Sequence, residues 1–210
     1  MKKSAQIIQL QKPEPKEDPF ISAWVFESNP VNYWSYWDNG FSKDECKQII
    51  EYGNRHSQSK ATTGLNRKQN KVRDSEIVWL APAEEIQWVY RRMTDIVTSL
   101  NDRFFKFDLF GAIEGFQFTK YVGPTGKYGK HVDYFPGGIT RKLSFTLQLS
   151  DPDEYEGGEL CLYFESKPAV MKKDQGYVCV FPSYVLHEVK PVTKGTRYSL
   201  VTWITGKPFK

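Results

Sequence analysis

The stretch KLSFTLQL, residues 142–149, places an apolar side chain at every second position, with polar or basic side chains between them. Successive side chains on a β-strand point to opposite faces, so this alternation predicts a strand with one apolar and one polar face. Similar short runs lie at residues 113–122, 131–134, 158–164, 177–181 and 197–205, and Gly and Pro residues typical of turns separate them. Many short strands with such punctuation predict a sandwich or a barrel.

Two helices are predicted before these strands. Ser42-Lys-Asp-Glu45 has the spacing of a capping box, and Phe41 and Cys46 stand where they can form a hydrophobic staple. A second helix is expected to begin at Pro82 and to end at about Phe104, with an apolar stripe that would pack against a sheet. The predicted fold class is therefore mostly β with supporting helices.

The composition limits the class of protein. The net charge of +4 does not by itself require a nucleic-acid partner, and the sequence has no run of the roughly 20 apolar residues that a membrane-spanning helix needs. The three cysteines, Cys46, Cys161 and Cys179, are an odd number without the spacing of a metal site. Free thiols in a reducing cytoplasm are therefore expected.

The domain organisation is expected to be simple, because the length fits one domain. Residues 1–19 are polar and rich in Pro and charge, which predicts a flexible N-terminal tail. Residues 20–210 are expected to form a single domain. Residues 57–71 are polar and basic, and they are either a mobile loop or a solvated connection without a role.

Two of the three histidines lie in a pattern that predicts a metal site. His131 and Asp133 are two residues apart, and side chains at i and i+2 of a strand point to the same face. His187 follows the predicted strand 177–181. Two imidazoles and one carboxylate leave three adjacent positions of an octahedral ion open, which is typical of oxygen-activating non-haem Fe(II). The alternative is that each histidine is structural or solvated, as histidines near strand ends often are.

Arg197 comes ten residues after His187, in the predicted strand TRYSLVTWI. It would share one strand face with Ser199, Val201 and Trp203. An arginine inside a β core is costly unless it is paired, and a guanidinium can bind a carboxylate through two parallel hydrogen bonds. The hydroxyl of Ser199 could add a third. The expected partner is the carboxylate of a ligand, and the alternative is an internal Asp or Glu.

Two further side chains are candidates for the same carboxylate. Tyr121 closes the predicted strand 113–122, and Gln148 lies on the polar face of the strand 142–149. Both side chains can donate a hydrogen bond. Either could instead satisfy a buried backbone group, and for Gln148 the sequence favours neither role over the other.

Three segments resemble the prolyl-4-hydroxylase-like family of Fe(II)/2-oxoglutarate-dependent oxygenases. Residues 121–133, YVGPTGKYGKHVD, look like its iron-binding strand, and Glu156-Gly-Gly-Glu-Leu160 resembles its Gly-Gly turn. Residues 181–197, FPSYVLHEVKPVTKGTR, are similar to the signature of the PKHD-type hydroxylases. The resemblance covers about residues 110–205, and it implies a double-stranded β-helix, that is, a cupin-like jelly-roll core.

The resemblance also implies the ligands of the metal. It assigns His131, Asp133 and His187 to Fe(II). The presence of Asp133 disfavours the related halogenases, because those enzymes lack the carboxylate ligand.

Roles toward the cosubstrate follow from the same resemblance. Arg197 is assigned to the far carboxylate of 2-oxoglutarate, and Tyr121 corresponds to a tyrosine that often contacts the same molecule. Many members carry a second tyrosine near position 148, where this chain has Gln148. That contact is therefore left open.

The activity implied is hydroxylation of a C–H bond with 2-oxoglutarate and dioxygen as cosubstrates, succinate and CO₂ as products, and ascorbate as a candidate auxiliary reductant. No catalytic side chain beyond the metal centre is required. The family favours a prolyl residue of a peptide or protein as substrate. The sequence itself predicts no membrane partner and does not favour a nucleic-acid partner. The alternatives are a free amino acid, a small metabolite or an alkylated base as substrate, or a non-catalytic jelly-roll binding module.

Overall fold

The computed structural model of the protein describes residues 31–61, 72–134 and 138–208. The tail predicted for residues 1–19 and most of the loop predicted for residues 57–71 lie outside these ranges. The single domain 20–210 stays a prediction. Within the described ranges, no helix has both the length and the apolar character needed to cross a membrane.

Strands account for most of the regular structure. In the part of the chain that the structure describes they are, in order, β1 (Ser35–Trp37), β2 (Ser59–Lys60), β3 (Arg73–Asp74), β4 (Glu76–Leu80), β5 (Leu109–Gly111), β6 (Phe116–Val122), β7 (Lys127–His131), β8 (Arg141–Gln148), β9 (Tyr155–Gly157), β10 (Leu160–Tyr163), β11 (Ala169–Val170), β12 (Val178–Pro182), β13 (Leu186–Val189) and β14 (Val192–Gly206).

The strands form two sheets. The larger sheet has the order β1-β12-β8-β14-β6-β4-β2, with β5 and β9 pairing with other parts of the long strand β14. The smaller sheet has the order β11-β10-β13-β7-β3. From β6 onward the chain passes back and forth between them, because β6, β8, β12 and β14 lie in the larger sheet and β7, β10, β11 and β13 in the smaller. This winding is a double-stranded β-helix, and it confirms the predicted fold class.

Helix α1 (Lys43–Asn54) begins where the capping box predicts. The Ser42 side chain accepts a hydrogen bond from the Glu45 backbone N–H at 3.2 Å, and the Glu45 carboxylate accepts one from the Ser42 N–H at 2.7 Å. Both carboxylate oxygens of Glu45 also accept hydrogen bonds from Arg92, each at 2.9 Å. The start of α1 is therefore tied to the second helix.

The start of the second helix was predicted wrongly. A 3-10 turn (Glu84–Ile86) follows Pro82, and α2 covers Gln87–Leu100 before a π-helical turn at Asn101–Phe105. Glu84 and Glu85 lie in this 3-10 turn just before α2, where carboxylates are favoured by the positive end of the helix dipole. Pro82 therefore precedes the helix and does not open it.

The larger sheet separates two hydrophobic cores. One lies between α1, α2 and the outer face of this sheet, and it contains Cys46, Met93, Phe118, Phe145 and Leu200. The other lies between the two sheets, and it contains Tyr121, Tyr155, Leu162, Cys179 and Phe181. The apolar side chains that alternate along residues 142–149 form the face of β8 that packs against the helices. The polar side chains between them point to the interior of the jelly roll.

Candidate metal centre

His131 and His187 come together through the pairing of β7 with β13. The two residues are register partners, and their ring centroids are 4.1 Å apart. A strand at His187 was not predicted from the sequence, in which this residue follows the predicted strand 177–181. The short strand β13 holds His187 beside His131 because its backbone is bonded to β7 on one side and β10 on the other.

The predicted strand 131–134 was wrong in its bounds, because β7 ends at His131 and Asp133 lies in a bend beyond it. The backbone N–H of Asp133 donates to the Ser183 carbonyl at 2.9 Å, and the Ser144 hydroxyl donates to its carboxylate at 2.7 Å. The bend and two hydrogen bonds therefore direct Asp133 toward the histidines. The i, i+2 alternation of a strand, on which the prediction was based, does not apply here.

Hydrogen bonds orient both imidazole rings. Nδ1 of His131 lies 2.8 Å from the Gly129 carbonyl oxygen, and Nδ1 of His187 lies 2.9 Å from the Val185 carbonyl oxygen. A carbonyl oxygen only accepts, so each Nδ1 carries a proton, and in a neutral ring the lone pair is then on Nε2. These Nε2 atoms face the Asp133 carboxylate at 3.6 and 3.5 Å.

The pKa shifts of His131 and Asp133 suit metal binding. Burial, reinforced by the neighbouring His187, lowers the pKa of His131 to about 4, so this imidazole is neutral near pH 7. Burial acts to raise the pKa of Asp133, but the two histidines outweigh it and hold this pKa below its usual range. Neutral imidazoles and an ionised carboxylate are the forms that bind a metal ion.

The ligand atoms of His131, Asp133 and His187 all lie within 4.8 Å of one another. This spacing lets one ion contact all three. A set of two imidazoles and one carboxylate, each already held by a backbone or hydroxyl group, fits Fe(II) with open positions for other ligands.

Arg197 supplies a second observation that points to a ligand. It lies on β14, its side chain is only 4% exposed, and its Nε and Nη1 atoms have no hydrogen-bond partner among the described residues. Its guanidinium carbon lies 5.3 Å from the centre of the Tyr121 ring, across the pairing of β14 with β6. Unpaired donors at such depth are costly, and the carboxylate of a ligand would satisfy them.

The other three side chains predicted to contact the ligand carboxylate are Gln148, Ser199 and Tyr121, and they are placed differently around Arg197. Gln148 lines one small cavity together with Arg197, and its amide nitrogen donates to the Tyr155 hydroxyl at 2.9 Å. Ser199 is the register partner of Gln148. Ser199 and Tyr121 are buried but do not line this cavity.

The polar face of β8 connects the two parts of the site. Ser144, Thr146 and Gln148 lie on this face, and Ser144 bonds Asp133 while Gln148 lines the Arg197 cavity. One strand therefore runs from the metal ligands to the guanidinium. A molecule that contacts both would lie along it.

Two tryptophan side chains lie beside this face of the sheet. Trp203 is 6% exposed on β14, and Trp79 is 49% exposed on β4, with their ring centroids 5.9 Å apart. The guanidinium of Arg141 lies 3.8 Å from the Trp203 ring, and its Nη1 donates to the Asp133 carbonyl at 3.3 Å. The tryptophans therefore form a wall that starts near the metal ligands and reaches solvent.

Tyr128 and Arg73 are neighbours of the metal site. The Tyr128 ring stacks on His131 with centroids 3.5 Å apart, and the Arg73 guanidinium carbon lies 4.3 Å from the Tyr128 ring centre. Arg73 is fixed in turn by Gln117 at 2.7 Å and Ser75 at 2.9 Å. Residues three apart on a regular strand point to opposite faces, so this contact depends on the irregular register of β7 against β13 between Tyr128 and His131.

Known proteins share this core. Residues 116–205 match the family model described as the 2OG-Fe(II) oxygenase superfamily. A PKHD-type hydroxylase of Prochlorococcus marinus is 44% identical over 94 residues, which are 44% of this chain and 42% of that protein. A second PKHD-type hydroxylase, from Idiomarina loihiensis, is 40% identical over 78 residues, which are 37% of this chain and 36% of that protein. The matched segment thus spans less than half of each relative.

Two solved structures share the fold. A prolyl-4-hydroxylase of Pseudomonas putida has a TM-score of 0.67 and 23% identity, covering 84% of this chain and 94% of that one. A prolyl hydroxylase of Trichoplax adhaerens, solved with a peptide fragment of the hypoxia inducible factor oxygen degradation domain, has a TM-score of 0.70 and 21% identity, covering 83% and 84%. Residues 116–205, which include the His-Asp-His cluster, are thus similar to the 2OG-Fe(II) oxygenase superfamily.

Proposed function

We propose that this protein is an Fe(II)- and 2-oxoglutarate-dependent dioxygenase that hydroxylates a prolyl residue of a peptide or protein. The observation that carries the proposal is the pairing of two features on one side of the larger sheet. One is the cluster of His131, Asp133 and His187, and the other is the buried guanidinium of Arg197 with two unpaired nitrogen atoms.

The metal cluster, Arg197 and β8 have different roles in this reaction. The cluster would hold Fe(II), and Arg197 would bind the far carboxylate of 2-oxoglutarate through two of its N–H groups. When bound, iron and 2-oxoglutarate supply the oxidative chemistry, which converts 2-oxoglutarate and O₂ to succinate and CO₂ and inserts one oxygen atom into a C–H bond. The hydrogen bonds from Nδ1 of both histidines fix the rings before the metal arrives. The buried face of β8 keeps water from the reacting atoms.

The wall formed by Trp79 and Trp203 supports a polypeptide substrate. Prolyl residues in extended chains dock on aromatic surfaces, because their rings are apolar and preorganised. Trp203 is the register partner of Ser144, the residue that bonds Asp133, so the wall begins beside the metal ligands. The exposed Trp79 offers a surface beyond the reacting residue, which a free amino acid would not reach. The structural relatives that are prolyl hydroxylases support the same substrate.

We also propose that the protein works in the cytoplasm. The three cysteines are free and buried, and burial raises the pKa of Cys46 to about 12. Buried neutral thiols fit a protein that works in the reducing cytoplasm.

The test is turnover with defined peptides. Purified protein is incubated with Fe(II), 2-oxoglutarate, ascorbate and a set of proline-containing peptides, and succinate and peptide mass are followed together. We expect succinate formation that a peptide stimulates, with a gain of one oxygen atom on a prolyl residue. Succinate formation that only a small metabolite or an alkylated base stimulates would instead support the other substrate classes, and no succinate under any condition would contradict the enzymatic function.

A further inference from the structure

Gln148 and Tyr155 form a buried pair next to Arg197. The Gln148 amide nitrogen donates to the Tyr155 hydroxyl at 2.9 Å, and the two residues are 6% and 4% exposed. Gln148 lines the cavity that Arg197 also lines, whereas Tyr155 does not line it and stands beside Gln148 and the Arg197 side chain. No step of the proposed function has used the Tyr155 hydroxyl.

The pair has more donors than it consumes. The amide group of Gln148 offers two N–H groups and the phenol of Tyr155 offers one O–H. One donor is used between the two residues, so two are left. This count is the same for either orientation of the amide, because a flipped amide would accept from the phenol and keep both of its N–H groups. Two spare donors beside a buried guanidinium are suited to an anion.

Tyr155 is held close to Arg197 by the backbone. It lies on β9, where its register partner is Gly195 on β14, two residues before Arg197. A Cβ atom at Gly158 would lie 2.9 Å from Cδ of Arg197 and 3.2 Å from Cε2 of Tyr155, so both side chains pack around this glycine. Burial raises the pKa of the Tyr155 phenol, although the nearby Arg197 acts to lower it. The phenol therefore keeps its proton and can donate a hydrogen bond.

We propose that Tyr155 and Gln148 act as one unit that completes, together with Arg197, the site for the far carboxylate of the cosubstrate. The inference rests on the proposed function, because it names further residues of the same site. Tyr155 has a double role in this site. Its hydroxyl orients the Gln148 amide, and the pair presents its two spare donors to the carboxylate oxygens that Arg197 leaves unsatisfied.

The test compares two 2-oxo acids on the Fe(II) protein without oxygen. One is 2-oxoglutarate, and the other is 2-oxobutyrate, which has the same metal-binding end but no far carboxylate. Binding of each acid is measured by calorimetry, so the readout does not depend on turnover. For Tyr155→Phe we expect the affinity for 2-oxoglutarate to fall roughly tenfold to a hundredfold, the loss of a hydrogen bond to a charged group. The affinity for 2-oxobutyrate should stay as in the wild type.

Tyr198→Phe is the matched control. Tyr198 lies on β14 next to Arg197, but its side chain packs with the helices on the other face of the sheet. This variant should bind both acids like the wild type. Gln148→Met is the second test variant, in case Tyr155→Phe does not fold, and it should show the same selective loss. If the pair acts as a unit, the double variant should lose little more than either single one.

Arg197→Leu separates failure of this inference from failure of the proposed function. If Arg197→Leu loses the preference for 2-oxoglutarate while Tyr155→Phe and Gln148→Met keep it, the pair is not part of the site and the proposed function stands. If all three variants bind both acids like the wild type, the carboxylate site itself is misplaced, and the inference falls with the cosubstrate proposal.

Discussion

His131 and His187 face each other as register partners on the adjacent strands β7 and β13, with ring centroids 4.1 Å apart. A shift of this pairing by one residue would turn one of the imidazoles to the opposite face of the smaller sheet. The metal site is therefore a property of strand register. Asp133, which follows the end of β7, supplies the third ligand through the contacts of its own backbone and carboxylate.

Removing the carboxylate should abolish tight metal binding. For Asp133→Ala we expect Fe(II) affinity, measured by anaerobic equilibrium titration, to fall by more than the roughly 10- to 100-fold that outer-shell changes cause. The fold should persist, because Ser144 keeps its contact with Ser183. The control is His56→Ala, since His56 is exposed and lies outside the site. Equal loss in both variants would show that the cluster is not the metal site.

A methyl group at Gly158 should disturb the carboxylate site without touching the metal. Gly158 has a positive φ of 68°, and an added Cβ would meet Cδ of Arg197 at 2.9 Å. For Gly158→Ala we expect weaker binding of 2-oxoglutarate and unchanged binding of Fe(II), both measured by calorimetry. Unchanged affinity for 2-oxoglutarate would argue against the position assigned to Arg197.

The exposed tryptophan should matter for the peptide and not for the cosubstrate. For Trp79→Ala we expect the KM of a peptide substrate to rise by about tenfold, because the peptide loses an aromatic surface. The affinity for 2-oxoglutarate should not change. Tyr33→Ala is the control, as Tyr33 is similarly exposed and stacks on Phe164 instead. A peptide KM that is the same in Trp79→Ala and wild type would place the substrate elsewhere.

The stability that the ion pair between Glu45 on α1 and Arg92 on α2 contributes should depend on pH. The Glu45 carboxylate is partly buried, which acts to raise its pKa, but the Arg92 guanidinium and the Ser42 groups outweigh burial and lower this pKa. A lowered pKa stabilises the folded state above the usual pKa of the group, and this stabilisation is lost as the pH falls through the folded-state value.

Glu45→Gln should therefore be less stable than the wild type by roughly 1 kcal/mol near neutral pH, since Gln can keep the cap but not the ion pair. Urea denaturation at about pH 7 and about pH 3 measures the difference. We expect it to shrink at the lower pH, where Glu45 becomes protonated. A difference that is constant with pH would mean that the ion pair with Arg92 contributes nothing.

Local patterns in the sequence were enough for much of the fold. The period of two in residues 142–149 assigned the correct faces of β8, and Ser42 and Glu45 located the start of α1, because both signals depend on neighbouring residues only. The end of β7 and the existence of β13 were not predictable in this way. They are fixed by pairing with strands far away in the sequence, which single-sequence periodicity does not contain.

The same distinction applies to the candidate site. The predicted ligands His131, Asp133 and His187 lie together, although Asp133 reaches the others from a bend and not from a strand. Tyr155 gave no signal of its own, because a tyrosine before Glu-Gly-Gly looks like a core residue. Its contact with Gln148 exists only after β9 has paired with β14.

The candidate site is tested most directly by asking whether metal binding and 2-oxoglutarate binding are linked through Arg197. Calorimetry without oxygen would measure 2-oxoglutarate binding to the protein with and without Fe(II), for the wild type and for Arg197→Leu. We expect one molecule to bind per chain, tightly only when Fe(II) is present, and much more weakly in Arg197→Leu, whose affinity for Fe(II) should be unchanged. Binding of 2-oxoglutarate that is independent of Fe(II), or that is the same in Arg197→Leu, would contradict the assignment of the metal cluster and Arg197 to one site.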